Sequence, residues 1–196
     1  FPQFFGDDWN RTYAAFRLES ERFPGLTAKD GSYSKQEFID LQRMGLEYGV
    51  RIIPEIDIPA HSLAFAHYKP EIASRKYGMD HLDLYKKETY QFVDSLLDEY
   101  LSGDNPVFIG DLHIGTDEYN KKEAEQYRYF TDRYLKFVEK YGKNVRMWGG
   151  LKWLPGKTPV KAEGVTVNAW SYDWVDPVVS LQDGYKLINT CDTYLY

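Results

Sequence analysis

The feature that most restricts the fold is an alternation. Short, β-branched apolar runs are separated by longer stretches of helical period, and polar side chains gather where each apolar run ends. Val50–Ile58 (VRIIPEIDI) reads as a buried strand stopped by Pro59, and Pro106–Ile114 (PVFIGDLHI) as a second. Val145–Trp148, Val165–Trp170 and the start of Lys186–Thr190 read as three more. Ser34 followed by Glu37 is a capping box, which predicts a helix to about Glu47, before Gly49. Thr89–Leu101 places Phe92, Leu96, Leu97 and Tyr100 on one face and stops at Gly103. Lys121–Tyr141 has Phe130, Tyr134, Phe137 and Val138 as its inner stripe, and Trp174–Leu181 is a shorter helical segment.

Strands alternating with helices predict βα units and a parallel sheet, and near-continuous apolar strands fit a sheet covered on both faces. Glu55, Asp57 and His61 belong to the end of the first strand, and His113, Asp117 and Glu118 to the second. Trp148 ends the third, and Trp170–Asp173 follow the fourth. All lie at C-terminal strand ends, where a (β/α)8 barrel builds its active site. A doubly wound sheet binds at the same edge, but no glycine-rich phosphate loop follows any strand. A whole barrel takes about 250 residues. The expected architecture is therefore α/β, a single domain over 1–196 forming an incomplete (β/α)8 barrel of about strands 3 to 7. Its two open strand edges predict poor solubility or self-association of the isolated segment.

Composition excludes several classes. The net charge of −6, with no basic block, argues against nucleic acid as a partner. No stretch nears the roughly 18 continuous apolar residues of a membrane span. No secretory leader pattern opens the chain. One cysteine, Cys191, rules out an internal disulfide framework and a multi-cysteine zinc site.

The sharpest chemical signal is Asp111-Leu-His113-Ile-Gly115-Thr-Asp117-Glu118. Strand alternation puts His113 and Asp117 on one side, and Glu118 joins them only if the chain bends after Gly115, which glycine permits. Adjacent carboxylates in a partly buried mouth repel, so one is expected to hold its proton while the other stays charged. That pairing serves glycoside cleavage. The competing explanation is that Asp117 and Glu118 only cap the helix starting near Lys121. His61 could simply tie down its loop, and His67 and His81 read as structural. Trp148, Trp170 and Trp174 near strand ends suit stacking on sugar faces, as does an aromatic content of 17%. Trp9 and Trp153 carry no assignment.

With these residues in view, the chain resembles glycoside hydrolase family 20, the β-N-acetylhexosaminidases and lacto-N-biosidases. The family's His-x-Gly-x-Asp-Glu matches His113–Glu118. Its Pro-Glu-Ile-Asp and Pro-Gly-His match Pro54–Asp57 and Pro59-Ala60-His61. Met147-Trp148-Gly149 and Ala169-Trp170 stand at the two sugar-facing tryptophans, and Thr193–Tyr196 resembles a Tyr-Leu-Asp segment.

The resemblance implies release of terminal β-linked N-acetylhexosamine from a glycan by substrate-assisted retention. It implies Glu118 as acid and base, and Asp117 as the anion that orients the acetamido group. Trp148 and Trp170 would wall the acetamido pocket, Tyr194 or Tyr196 would donate to the acetamido oxygen, and His61 and His113 would support the carboxylates. No metal or cofactor is implied. Export from a bacterial cell is the localisation the family suggests. Ala60 and Thr116 replace glycines common in the family, and Tyr196 stands where many members have Asp. Three alternatives remain at this point: disaccharide release of the lacto-N-biosidase type, a sugar-binding barrel without catalysis, and a metal-dependent hydrolase. The last would use Asp57, His61, Asp111, His113, Asp117 and Glu118, although His-x-His and His-Glu-x-x-His patterns are absent.

Overall fold

The structure is a computed structural model and describes residues 11–195. The expectations placed on Trp9 and Tyr196 lie outside the described residues. In chain order the elements are α1 (Lys35–Glu47), β1 (Glu55–Ile58), α2 (Leu63–Tyr68), β2 (Ala73–Ser74), β3 (Gly78–Leu82), α3 (Lys87–Leu101) and β4 (Leu112–Gly115). Then come α4 (Ala124–Glu139), β5 (Val145–Trp148), β6 (Val165–Ala169), α5 (Pro177–Gln182), β7 (Lys186–Asn189) and α6 (Asp192–Leu195). The chain divides into two compact units, 1–53 with 61–110 and 54–60 with 111–196.

The first unit holds α1, α2, α3 and the antiparallel ribbon β2–β3. The capping box forms as the sequence predicts: Ser34 Oγ accepts from the Glu37 N–H, and Glu37 accepts from the Ser34 N–H at 2.7 Å. The predicted face of α3 is buried, all four residues included. Its Phe92 packs against Phe23 and Phe65 at ring separations of 4.8 and 5.4 Å, and Tyr100 stacks on Phe108 at 5.1 Å. At α3, Glu99 is held by Ser20, by the Glu21 N–H and by Lys35 at 2.9 Å, and this lowers its carboxyl from the ordinary range against the opposing effect of burial.

The second unit carries a five-stranded parallel sheet in the order β1-β4-β5-β6-β7. The fold is thus α/β with a parallel sheet. Strands β5, β6 and β7 fall where the pattern predicts. The first two strands are shorter than expected, beginning at Glu55 and Leu112. Pro54 supplies no N–H to a ladder, and the segment before β4 spends its donors elsewhere. Phe108 N–H goes to the Tyr100 carbonyl and Ile109 N–H to Gln42 Oε1.

Helix α4 presents Tyr127, Phe130, Tyr134, Leu135 and Val138 as its buried side, with Phe137 half-buried at the margin of the predicted stripe. Helix α5 starts at Pro177 rather than Trp174. Asp176 accepts from the Val178 and Val179 N–H groups, and proline suits the first helical position. Helix α2, the ribbon and α6 have no counterpart in the predicted elements.

Candidate active site

The site is built on the second unit's sheet, where strand alternation and register decide which side chains share a face. In β5 and β6 the apolar residues Val145, Met147, Val165, Val167 and Ala169 are buried, so Arg146, Trp148, Thr166 and Asn168 share the other side. Parallel partners share a face, and Glu55 pairs with His113, His113 with Arg146, and Trp148 with Asn168. One layer is set by Arg146, whose guanidinium meets Asp111 at 3.1 Å, with Asn144 also donating to that carboxylate. Nearer the C-terminal ends, Trp148 Nε1 donates to Glu55 Oε1 at 2.9 Å, and the His113 ring lies 4.8 Å from the Trp148 ring.

His113 is almost fully buried, and burial lowers its pKa to about 4 against the attraction of Asp117. It is therefore neutral at pH 7, and its 3.7 Å approach to Glu55 is not an ion pair. The Gly115 N–H donates to His113 Nδ1 at 3.1 Å, which leaves the ring proton on Nε2.

The register of β1 against β4 shifts between Glu55 and Ile58, and the shift brings Asp57 against Gly115. A methyl group at position 115 would lie 1.8 Å from Asp57 Oδ1, so only glycine fits. Beyond Gly115 the backbone turns through the left-handed region, with φ of +70° at Gly115, +78° at Thr116 and +49° at Glu118. For a β-branched residue such as Thr116 that conformation is a genuine outlier. It is held from both ends. The Tyr127 hydroxyl, on α4, donates to the Thr116 carbonyl at 2.5 Å, and Thr116 Oγ1 reaches the Trp148 carbonyl at 3.3 Å. The φ at Thr116 gives a reason for the glycine common there in the resembled family.

This turn separates the two adjacent carboxylates. Asp117 is buried, 7% exposed, and lies beside Asp57, whose carboxyl feels its charge; Glu118 is exposed. The Asp57 carboxyl is raised well above the ordinary range, by burial first and then by Asp117 and Glu55. The coupled pair is thus the buried one, Asp57 with Asp117. Sequence adjacency predicts that coupling between Asp117 and Glu118; the structure puts it between Asp117 and Asp57. The capping explanation fails on geometry: Asn120 is the cap ahead of the Lys121–Glu123 turn, its side chain accepting from the Lys122 N–H at 3.0 Å.

Trp170 follows β6, and its Nε1 donates to the Gly149 carbonyl at 2.8 Å. Tyr194, on α6, is 69% exposed, with its ring 6.0 Å from that of Tyr172. His61 belongs to the first unit and has a φ of +52°. His81 Nδ1 lies 2.9 Å from Asp80 Oδ1, a structural pairing as expected. Of the metal-ligand types in the second unit, Asp111 is engaged by Arg146 and Asn144, and His113 Nδ1 by Gly115.

Three participants went unassigned in the sequence reading of the carboxylate pair. They are Glu55 as acceptor for Trp148, Asp57 as partner of Asp117, and Asn168, whose Oδ1 is buried without a hydrogen bond among the described residues. The period-2 spacing of Glu55 and Asp57 on one strand was the available signal for the first two. Chemically, the site offers a carboxyl raised well above its ordinary range, a buried carboxyl beside it, and an exposed carboxyl one residue further on from that.

The model for the catalytic domain of glycosyl hydrolase family 20 matches residues 11–128. A β-hexosaminidase of Arthroderma benhamiae is 29% identical over 87% of this chain and 34% of its own length. A lacto-N-biosidase of Bifidobacterium bifidum is 25% identical over 80% of this chain and 16% of its own. The structure of the family 20 β-N-acetylhexosaminidase from Streptomyces coelicolor superposes with a TM-score of 0.71 at 26% identity, over 89% of this chain and 39% of that one. The chain thus spans well under half the length of each of these three.

Proposed function

The chain belongs to glycosyl hydrolase family 20, and from that membership we propose that its protein is a retaining, exo-acting β-N-acetylhexosaminidase to which this chain contributes about strands 3 to 7 of a (β/α)8 barrel. The observation that carries the reading is the separation of the adjacent carboxylates, Asp117 buried against Asp57 and Glu118 exposed.

Substrate-assisted cleavage needs that separation. The family is an exception to the rule of two catalytic carboxylates flanking the bond, because the sugar's own acetamido oxygen attacks the anomeric carbon. Glu118, open to the leaving side, protonates the departing glycosidic oxygen as the bond breaks. The acetamido nitrogen gains positive charge as an oxazolinium ring forms. Asp117 accepts its N–H and stabilises that charge in a water-poor setting where the interaction is strong. Asp57, its carboxyl raised by burial and then by Asp117, holds a proton and so leaves the negative charge of the pair on Asp117. Trp148 and Trp170 wall the acetamido group, their indole N–H groups already bonded to Glu55 and Gly149. In the second half, Glu118 takes a proton from water as the water opens the oxazolinium ring.

The test is hydrolysis of 4-nitrophenyl N-acetyl-β-glucosaminide by the full-length protein beside Asp117→Asn and Glu118→Gln, with a thiazoline analogue of the intermediate as inhibitor. Turnover that needs Asp117, inhibition by the thiazoline and survival in chelator are the expected results. A thiazoline without effect on an active enzyme would refute the acetamido mechanism.

A further inference from the structure

The second unit carries an aromatic run that the reading above does not use. From Trp170 it continues to Trp174 at a ring separation of 5.4 Å and to Trp153 at 5.1 Å, and it ends where Lys121 Nζ lies 4.6 Å from the Trp153 ring centre. The tryptophans sit in the segments that follow β5 and β6 and Lys121 in the segment that follows β4, the same sheet edge as the carboxylates. The segments are tied together: the Lys152 N–H donates to the Trp174 carbonyl at 3.1 Å and Lys152 Nζ to the Tyr172 carbonyl at 2.5 Å.

The tryptophans fall into two kinds. Trp148 and Trp170 spend their indole N–H groups on protein acceptors. Trp153 and Trp174 make no such bond among the described residues, and Trp153 is 38% exposed. Lys121 pairs with no carboxylate among the described residues. Chain reach bounds its position. Lys121 is three residues beyond Glu118, and three residues span at most about 10 Å. The backbone at Lys121 therefore lies within about 10 Å of the backbone at Glu118, on the same edge of the sheet.

We propose that Trp153, Trp174 and Lys121 form a second carbohydrate subsite, on the leaving side of Glu118, that takes an acidic pyranose. The inference rests on the hexosaminidase reading for its direction and not for its chemistry. An indole surface with a spare N–H packs the apolar side of a sugar and bonds a hydroxyl. An ammonium already held beside that indole meets a ring carboxylate through a charge-assisted hydrogen bond.

The experiment is a tryptophan-fluorescence titration of the full-length protein in a Glu118→Gln background, which separates binding from turnover. The two probes are N-acetyl-β-glucosamine O4-linked to glucuronic acid and, as its neutral counterpart, N,N′-diacetylchitobiose. The acidic probe binds more tightly, and Lys121→Met weakens it by about three- to tenfold while moving the neutral probe less than twofold. Trp153→Ala weakens both by about tenfold, and Trp153→Phe, which keeps a ring in place, covers the case in which alanine unfolds the segment. Equal affinity for the two probes, or an acidic-probe affinity unmoved by Lys121→Met, overturns the proposal. Failure of the hexosaminidase reading shows separately, as absence of turnover by the protein with Glu118 intact.

Discussion

Replacing Gly115 by alanine tests the packing on which the buried pair depends. The added methyl would fall 1.8 Å from Asp57 Oδ1, 2.6 Å from its Cγ and 2.7 Å from its Cα. The last of these is backbone, so the carboxylate tip cannot relieve the clash by swinging away. Two costs combine. Alanine at a φ of +70° costs about 1 kcal/mol, and overpacking a filled site costs about 1–3 kcal/mol. For a domain of this size each kcal/mol lowers Tm by about 2–4 °C, so Gly115→Ala should lower it by roughly 5–15 °C. Gly164 is the control. Its φ is +77°, nearly that of Gly115, and a methyl there meets nothing within 4 Å. Gly164→Ala therefore pays the backbone cost alone, about 2–4 °C. Thermal unfolding of the two variants of the full-length protein isolates the contact with Asp57. Equal losses of Tm would mean that β1 does not press on the turn as described, and the argument for a positioned Asp57–Asp117 pair would fall with it.

Other outcomes follow from the same site. Because His113 is buried neutral with its pKa lowered to about 4, the stability it permits is present above its unfolded pKa near 6.5. That stability is lost as pH falls towards 4, by about 3 kcal/mol relative to His113→Gln; parallel pH-dependence of the two proteins would contradict it. Asp57 is raised, so its contribution is full below the ordinary carboxylate range and declines as pH climbs through the folded-state value. Asp57→Asn should accordingly gain on the wild type in Tm between pH 5 and pH 8, and a constant difference would count against the shared proton. Tyr127→Phe strips the left-handed Thr116 of its buried carbonyl partner and should cost about 1–3 kcal/mol in urea unfolding.

The sheet's later strands and the chemistry at their ends were legible because β5, β6 and β7 are short apolar runs with clear helical segments between them. The carboxylate geometry was legible only in part. Glycine at 115 signalled a bend, but the bend extends through Thr116 and Glu118, residues whose propensities argue against it. Tertiary bonds from Tyr127 and to Trp148 hold Thr116 there, and local sequence does not announce such bonds. The Asp57–Asp117 pairing depends on a register shift between β1 and β4, and period-2 reasoning assumes an unbroken ladder. Trp174 was legible as a strand-end tryptophan, but Trp153 was not, because the two come from different loops, brought side by side only by the pairing of β5 with β6.

Strand order also bears on how the site comes together during folding. Met147 pairs with Val167 and Val167 with Leu187, each 20 residues away, whereas Glu55 pairs with His113, 58 residues away. Closing the longer loop costs roughly 1 kcal/mol more in chain entropy, and contacts of greater sequence separation form late. The β5–β7 part of the sheet, with the loops that bear the tryptophans, can therefore assemble from a contiguous piece of chain. β1 has to be captured across the whole 61–110 segment. The carboxyl that fixes Asp117 thus reaches the sheet last, so surfaces shaped for sugar precede the acid chemistry in time, and amide exchange at β1 should be the fastest in the sheet.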